Sequence, residues 1–106
     1  MNAKRLYRIA FLNGGKLYEI YARSIAQGHL YGFIEISDIV FGEKSAVVVD
    51  PAEERLKTEF AEVRRSYIPL HSVVRIDEVD KQGTARISSA GEGNISPFPG
   101  PFYGPG

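Results

Sequence analysis

The side chains best suited to chemistry in this sequence are two histidines, His29 and His71, and an acidic run of Asp77, Glu78 and Asp80. A nucleophilic mechanism needs a serine within hydrogen-bond reach of a base that a third group orients. No serine here sits in a recognisable local signature of that kind. His71 follows Tyr67-Ile68-Pro69-Leu70, where it would serve as a base, as an anion contact, or as a half-buried imidazole bonded to a backbone carbonyl. The last of these is the simplest account. His29 lies in a glycine-flanked stretch and reads as an exposed loop histidine within reach of a ligand. The two histidines are 42 positions apart, which is no metal-ligand spacing. The acidic run lacks the glycine and closing glutamate of a calcium loop. Asn13-Gly14-Gly15-Lys16 lacks the earlier glycine and the following Ser/Thr of a phosphate loop. The expectation is therefore no catalytic residue, no cofactor and no metal.

Binding is better represented than catalysis. Arg8, Lys16, Tyr21, Arg23, Tyr31 and Phe33 mix bases with aromatics in the first half of the chain. Together with His29 and His71 they form a candidate binding surface. Aromatic faces flanked by cations are how small barrels hold single-stranded nucleic acid. The same aromatics also suit a β core or cross-strand pairs. A second candidate is the C-terminal Pro97-Phe98-Pro99-Gly100-Pro101-Phe102-Tyr103, where Phe98, Phe102 and Tyr103 would dock in a groove of a partner, of this domain or of a sister subunit. Two functions stand open: a protein-interaction or adaptor module that self-associates through sheet edges, and an RNA or single-strand-binding small barrel.

Those residues must be positioned by short strands. Leu6 to Leu12 and Lys16 to Arg23 are rich in aromatic and branched residues, and Asn13-Gly14 between them is a hairpin signal. Period-2 alternation puts Tyr7, Ile9 and Phe11 on one face of the first strand and Tyr18, Ile20 and Ala22 on one face of the second. Residues 24–32 read as a loop. A third strand runs from Phe33 to about Phe41, and Ala46 to Val49 is a fourth, apolar on both faces. Asp50-Pro51-Ala52-Glu53 starts a helix: Asp50 suits the N-cap, Pro51 the first turn, and Glu53 the capping-box position. The stripe Ala52, Leu56, Phe60, Val63 carries that helix over about 51–64. Glu53–Lys57 and Arg55–Glu59 would pair on its wet side, and Arg64-Arg65 close its end. The stripe is narrow, so the helix should cover an edge of a sheet. Short strands follow at 67–70, 72–79 and 84–87, the first marked as edge or bend by Pro69.

The fold class expected is mainly β (α+β): a small, strongly bent antiparallel sheet, or an SH3-like or Sm-like barrel, of five to six strands with one helix. The barrel is the first choice and an open sheet crossed by a helix the second. Residues 1–88 form one β-rich domain and 89–106 a flexible Pro/Gly-rich tail.

At 106 residues and 43% apolar, the chain has room for one modest core. No apolar run approaches the roughly 20 residues of a membrane helix, and the N-terminus lacks a secretory h-region. No cysteine is present, so disulfides and thiolate metal sites are excluded. A cytoplasmic location is expected. The net charge is zero but uneven: +4 over residues 1–33, −5 over 34–62 and +1 over 63–106. Neutrality argues against a dedicated nucleic-acid binder, and the two charged thirds can neutralise each other on folding.

Tyr7-Arg8-Ile9, Lys16-Leu17-Tyr18-Glu19-Ile20-Tyr21-Ala22-Arg23, Tyr31-Gly32-Phe33-Ile34-Glu35, Phe41-Gly42-Glu43, Val48-Val49-Asp50-Pro51-Ala52-Glu53-Glu54-Arg55-Leu56-Lys57 and Tyr67 through Val79 occur in this order. As an ordered set over about residues 6–87 they resemble a proteobacterial family of small proteins known as domain of unknown function 1820, with the tail outside it. The resemblance implies a bacterial cytoplasmic protein and carries over no activity or catalytic residue. The step Tyr67-Ile68-Pro69-Leu70-His71-Ser72-Val73-Val74-Arg75-Ile76 is similar in rhythm to strand pairs of Sm-like barrels, an analogy of fold alone.

Overall fold

The computed structural model describes residues 5–42 and 50–89. The expected strand at Ala46 to Val49 and the aromatic tail, with Phe98, Phe102 and Tyr103, lie outside the described residues. The elements are β1 (Tyr7–Asn13), β2 (Lys16–Ala26), β3 (Phe33–Val40), α1 (Pro51–Glu59), β4 (Arg65–Pro69), a 3-10 turn (Leu70–Ser72), β5 (Val73–Glu78) and β6 (Arg86–Ser89).

β1 and β2 form the expected hairpin, in register from Tyr7↔Ala22 to Asn13↔Lys16. Its turn is Gly14-Gly15 rather than Asn13-Gly14. Both glycines take positive φ, 61° and 77°, as a tight two-residue hairpin turn requires. β2 runs through Ser24, Ile25 and Ala26, residues expected in the loop, because β3 extends alongside them to Ala26↔Glu35. Pairing here overrides a local composition that reads as a break.

The sheet is antiparallel throughout, in the order β4-β3-β2-β1-β5. The far edge of β2 is shared: its second half pairs with β3, and its first half with β6, from Lys16↔Ser89 to Glu19↔Arg86. After β5, Val79 bonds its N–H to the Leu6 carbonyl at 2.9 Å. The chain then crosses to the other side of the hairpin, with Gly83 close against the Tyr21 hydroxyl.

The sheet does not close, which corrects the barrel as first choice. β4 and β5 end opposite rims and share no ladder among the described residues. It is nonetheless strongly curled, for a reason of length. Only Leu70–Ser72 separate β4 from β5. Four Cα steps, Pro69 to Val73, reach at most about 14 Å. In a flat sheet the same two strands would stand roughly 19 Å apart, four spacings of about 4.8 Å. The three-residue link demands a bend that brings the rims toward each other.

Alternation correctly places the core. Ile9, Phe11, Tyr18, Ile20, Ala22, Ile34, Ile36 and Ile68 are buried together with Leu56 of α1 and Ala85. Phe11 and Tyr18, cross-strand partners, stack with centroids 5.1 Å apart. Burying one such Ile or Leu side chain contributes about 1.5–3 kcal/mol. On β5 alternation marks no buried face. Val74 and Ile76, which alternation puts together on one face, are 57% and 38% exposed. β5 is an edge strand, and its register slips between Ala10 and Phe11, leaving Val74 as an extra residue.

The helix starts as expected. Asp50 accepts from the Ala52 N–H at 2.9 Å and the Glu53 N–H at 3.4 Å. It ends earlier, at Glu59 rather than near residue 64. Phe60, at φ −100° and ψ 8°, leaves the helix, and Val63 N–H bonds the Phe60 carbonyl in a further turn. The chain must turn there so that Arg65 can begin the strand beside β3. Arg64 and Arg65 therefore do not cap the helix; Lys57 is the base of its last turn. Lys57 pairs with Glu54 at 3.9 Å, and Glu53 has a different task. Its Oε2 accepts the Gly42 N–H at 3.2 Å and the Ala85 N–H at 3.1 Å. One carboxylate thus ties the helix to the end of the β3 segment and to the entry of β6.

Candidate interaction surface

The basic and aromatic residues expected to form one surface divide into separate places. Tyr21, Arg8 and Asp77 are in register across β2, β1 and β5. An Arg8 guanidinium nitrogen lies 2.6 Å from Asp77 Oδ2, and Arg75 Nε approaches the same oxygen at 3.0 Å. Hydrogen bonding to Arg8 holds the Asp77 carboxyl below the usual carboxylate range, and Arg75 adds to it. The bonds to Asp77 and then Tyr21 raise Arg8. Tyr21 itself is buried. This row is a satisfied cross-strand network in which the cation already has its anion. Arg23 is half-buried on β2 and reaches the Arg5 carbonyl at 3.3 Å. Lys16 is exposed at the hairpin mouth, at the opposite end of β2 from the loop that carries His29 and Tyr31.

That loop is where the structure does gather expected residues. Gln27 to Gly32 link β2 to β3, and the loop is pinned at three points. Phe33 N–H bonds the Leu30 carbonyl at 3.2 Å, and Leu70 N–H bonds the Gly32 carbonyl at 2.8 Å. The His29 ring meets Tyr67 of β4 edge-on, with centroids 6.0 Å apart. Gly28 adopts φ +64°, a backbone conformation that favours glycine, and a Cβ there would press on the Glu35 side chain. Glu35 in turn is bonded to Arg65 at 2.9 Å.

On this fixed base Tyr31 is 100% exposed, beside Leu30 at 39% and Leu70 at 49%. A depression of about 350 Å³ lies among His29, Leu30, Tyr31, Phe33 and Leu70, with Gln27 at its rim. Among the described residues no Asp, Glu, Lys or Arg lines it. His71 is exposed in the 3-10 turn next to Leu70, not half-buried. No carboxylate stands within ion-pair distance of either histidine among the described residues. Leu30 and Leu70 went unmarked in the sequence; a leucine between two glycines and one directly after a strand-ending proline are the signals that could have found them.

A second depression, of about 400 Å³, separates the end of β1 from the helix and β4, among Leu12, Phe60, Val63 and Ile68. Near it the Tyr18 hydroxyl lies 3.3 Å from both Glu59 carboxylate oxygens. Burial first, and the Glu59 charge second, push the Tyr18 phenol up. No group of three or more metal-ligating side chains occurs among the described residues, and no helix there is long and apolar enough to cross a membrane.

The molecule is thus a small curled antiparallel sheet with a helix on its edge and an aromatic loop displayed at one end. The chain belongs to the family described as "Domain of unknown function (DUF1820)", whose sequence model matches residues 5–100. The match extends past the 6–87 stretch on which the resemblance rests. It takes in Phe98 and leaves Phe102 and Tyr103 outside. No curated protein and no solved structure matches the chain.

Proposed function

We infer that this chain is a protein-interaction module, and that the Tyr31 loop receives an uncharged aliphatic or aromatic segment of a partner protein. The observation that carries this reading is the wholly exposed Tyr31 ring on a loop that hydrogen bonds and packing hold in place. An exposed aromatic that is already ordered loses little conformational freedom on binding, and such residues dominate interface energetics. The chemistry of the partner follows from the lining, which among the described residues offers leucine and aromatic surface with Gln27 and His29 for hydrogen bonds and no formal charge to pair. The nucleic-acid alternative has less support: Arg8 is neutralised by Asp77, Tyr21 is buried, Lys16 stands at the far end of β2 from the loop, and Arg23 is turned to the Arg5 carbonyl.

Selection of a random displayed-peptide library on the full chain tests the reading. Enriched peptides should carry an aliphatic or aromatic anchor and should lose binding to Tyr31→Ala and Leu70→Ser, with thermal melting unchanged. Enrichment indifferent to both substitutions overturns the loop as the site. Salt-sensitive binding of a mixed oligonucleotide pool, lost in Tyr31→Ala, overturns the protein-partner reading in favour of nucleic acid.

A further inference from the structure

β5 borders the sheet beyond β1, and among the described residues no strand pairs with its outer side. Its backbone orientation follows from one bond. Val79 N–H bonds the Leu6 carbonyl, which continues the β1–β5 register of Arg8↔Asp77 and Ala10↔Arg75. These are therefore the hydrogen-bonded pairs, and alternation turns the N–H and C=O groups of Ile76 and Glu78 outward. Val74, the extra residue at the register shift, ends that regular row. The outward edge thus has half-exposed Ile76 at its middle, with Arg75 before it and Asp77 after it.

We propose that two copies of this chain join along β5, antiparallel about a twofold axis through Ile76, so that their sheets become continuous. The proposal is independent of the Tyr31 loop and rests on register and charge. A twofold pairing of identical strands is self-complementary. An axis between two residues would set an outward-facing backbone group against an inward-facing one, so the axis must pass through a residue. Centred on Arg75, the pairing opposes Arg75 to Arg75; centred on Asp77, it opposes Asp77 to Asp77. Like charges directly opposite are destabilising. Centred on Ile76, it places Ile76 against Ile76, joins them by the outward backbone groups, and sets each Arg75, already bonded to Asp77 of its own chain at 3.0 Å, opposite Asp77 of the partner subunit, so that opposite rather than like charges meet. Charges on an edge ordinarily discourage pairing; Arg75 and Asp77 disfavour the registers on either side of the one centred on Ile76, and the register shift at Val74 takes the next out of the regular row.

The chain has no cysteine, which makes a direct test available. Hydrogen-bonded antiparallel partners have Cα atoms about 5.5 Å apart, inside the disulfide range of about 4.4–6.8 Å. Full-length Ile76→Cys should become a covalent dimer under mild oxidant, while Arg75→Cys and the loop variant Gln82→Cys stay largely monomeric. Sedimentation of the unmodified chain should show mass rising to twice the monomer with concentration, and Ile76→Lys should hold the monomer with an unchanged β-sheet spectrum. Arg75→Glu, which opposes two acids, should weaken the dimer. Cross-linking of Ile76→Cys no faster than Gln82→Cys, or fastest at Arg75→Cys, overturns the register. A chain monomeric at every concentration, or a dimer that survives Ile76→Lys but is lost in Tyr31→Ala, overturns the edge as the contact.

Discussion

Arg8 and Asp77 face each other across β1 and β5, with a guanidinium nitrogen 2.6 Å from a carboxylate oxygen. The pair joins the edge strand to the hairpin, and Arg75 shares the same carboxylate. Because Arg8 holds the Asp77 carboxyl below its ordinary value of 3.8, the folded state favours the charged form. The stability this supplies is present above that ordinary value and is lost as pH falls from it through the lowered folded value. Both side chains are partly in water, so the effect is modest. Urea midpoints measured between neutral and strongly acid pH should fall for the natural chain and fall less for Asp77→Asn. Equal acid slopes in the two would count against the pair.

Glu53 holds two distant backbone segments with one carboxylate oxygen. Its Oε2 serves the N–H groups of Gly42 and Ala85 together, and Glu53→Ala leaves both without that acceptor. The expected loss is about 1–3 kcal/mol in chemical denaturation. Hydrogen exchange localises it: the Ala85 amide should exchange faster in the variant while the Ile9 and Ile20 amides keep their protection relative to global unfolding.

Core and edge should respond differently to truncation. Ile9 is fully buried, whereas Val74 is mostly in water. Ile9→Ala should cost about 2–5 kcal/mol. Val74→Ala should stay within about 0.5 kcal/mol, as exposed substitutions usually do. Urea denaturation of the two variants decides the point.

Tyr18 supplies the alkaline counterpart of Asp77. Burial and Glu59 keep its phenol protonated in the folded state beyond the ordinary value of 10.0. The unfolded chain ionises first, so stability declines as pH rises from that value through the raised folded one. Tyr18→Phe should flatten this alkaline decline, and ultraviolet titration of the phenolate should show one tyrosine ionising late in the natural chain.

Much of the fold was legible in local patterns. The hairpin, β3 and the helix start each rest on signals contained within a few residues: turn glycines, alternation, and Asp50 with Pro51. What local pattern could not carry was set by distant partners. The helix stops at Glu59 because β4 must begin beside β3, and β2 outruns its apparent end because β3 lies along it. Glu53 looks like a capping-box residue until Gly42 and Ala85, far along the chain, arrive beside it. The candidate surface divides for the same reason. His29 and Tyr31 share one loop and stay together, whereas Arg8 acquires a partner 69 positions away that no spacing rule announces. Leu30 and Leu70 are brought to the same depression by the Leu70 N–H bond to the Gly32 carbonyl, which extends the β3–β4 pairing past Phe33↔Pro69.

The three-residue link from β4 to β5 has a thermodynamic consequence. Leu70 is bonded to the Tyr31 loop through Gly32, and three residues after it Val73 begins the opposite rim. Leu70 and Val73 bracket a single 3-10 turn, closed by the Val73 N–H on the Leu70 carbonyl, so a movement of Leu70 would be passed to the start of β5 through that bond. If the loop takes a partner and β5 a second copy, the two events would be linked equilibria, and by reciprocity whatever one does to the other's affinity is returned by the same factor. Lengthening the link by a few glycines should uncouple them while leaving each rim its own contacts.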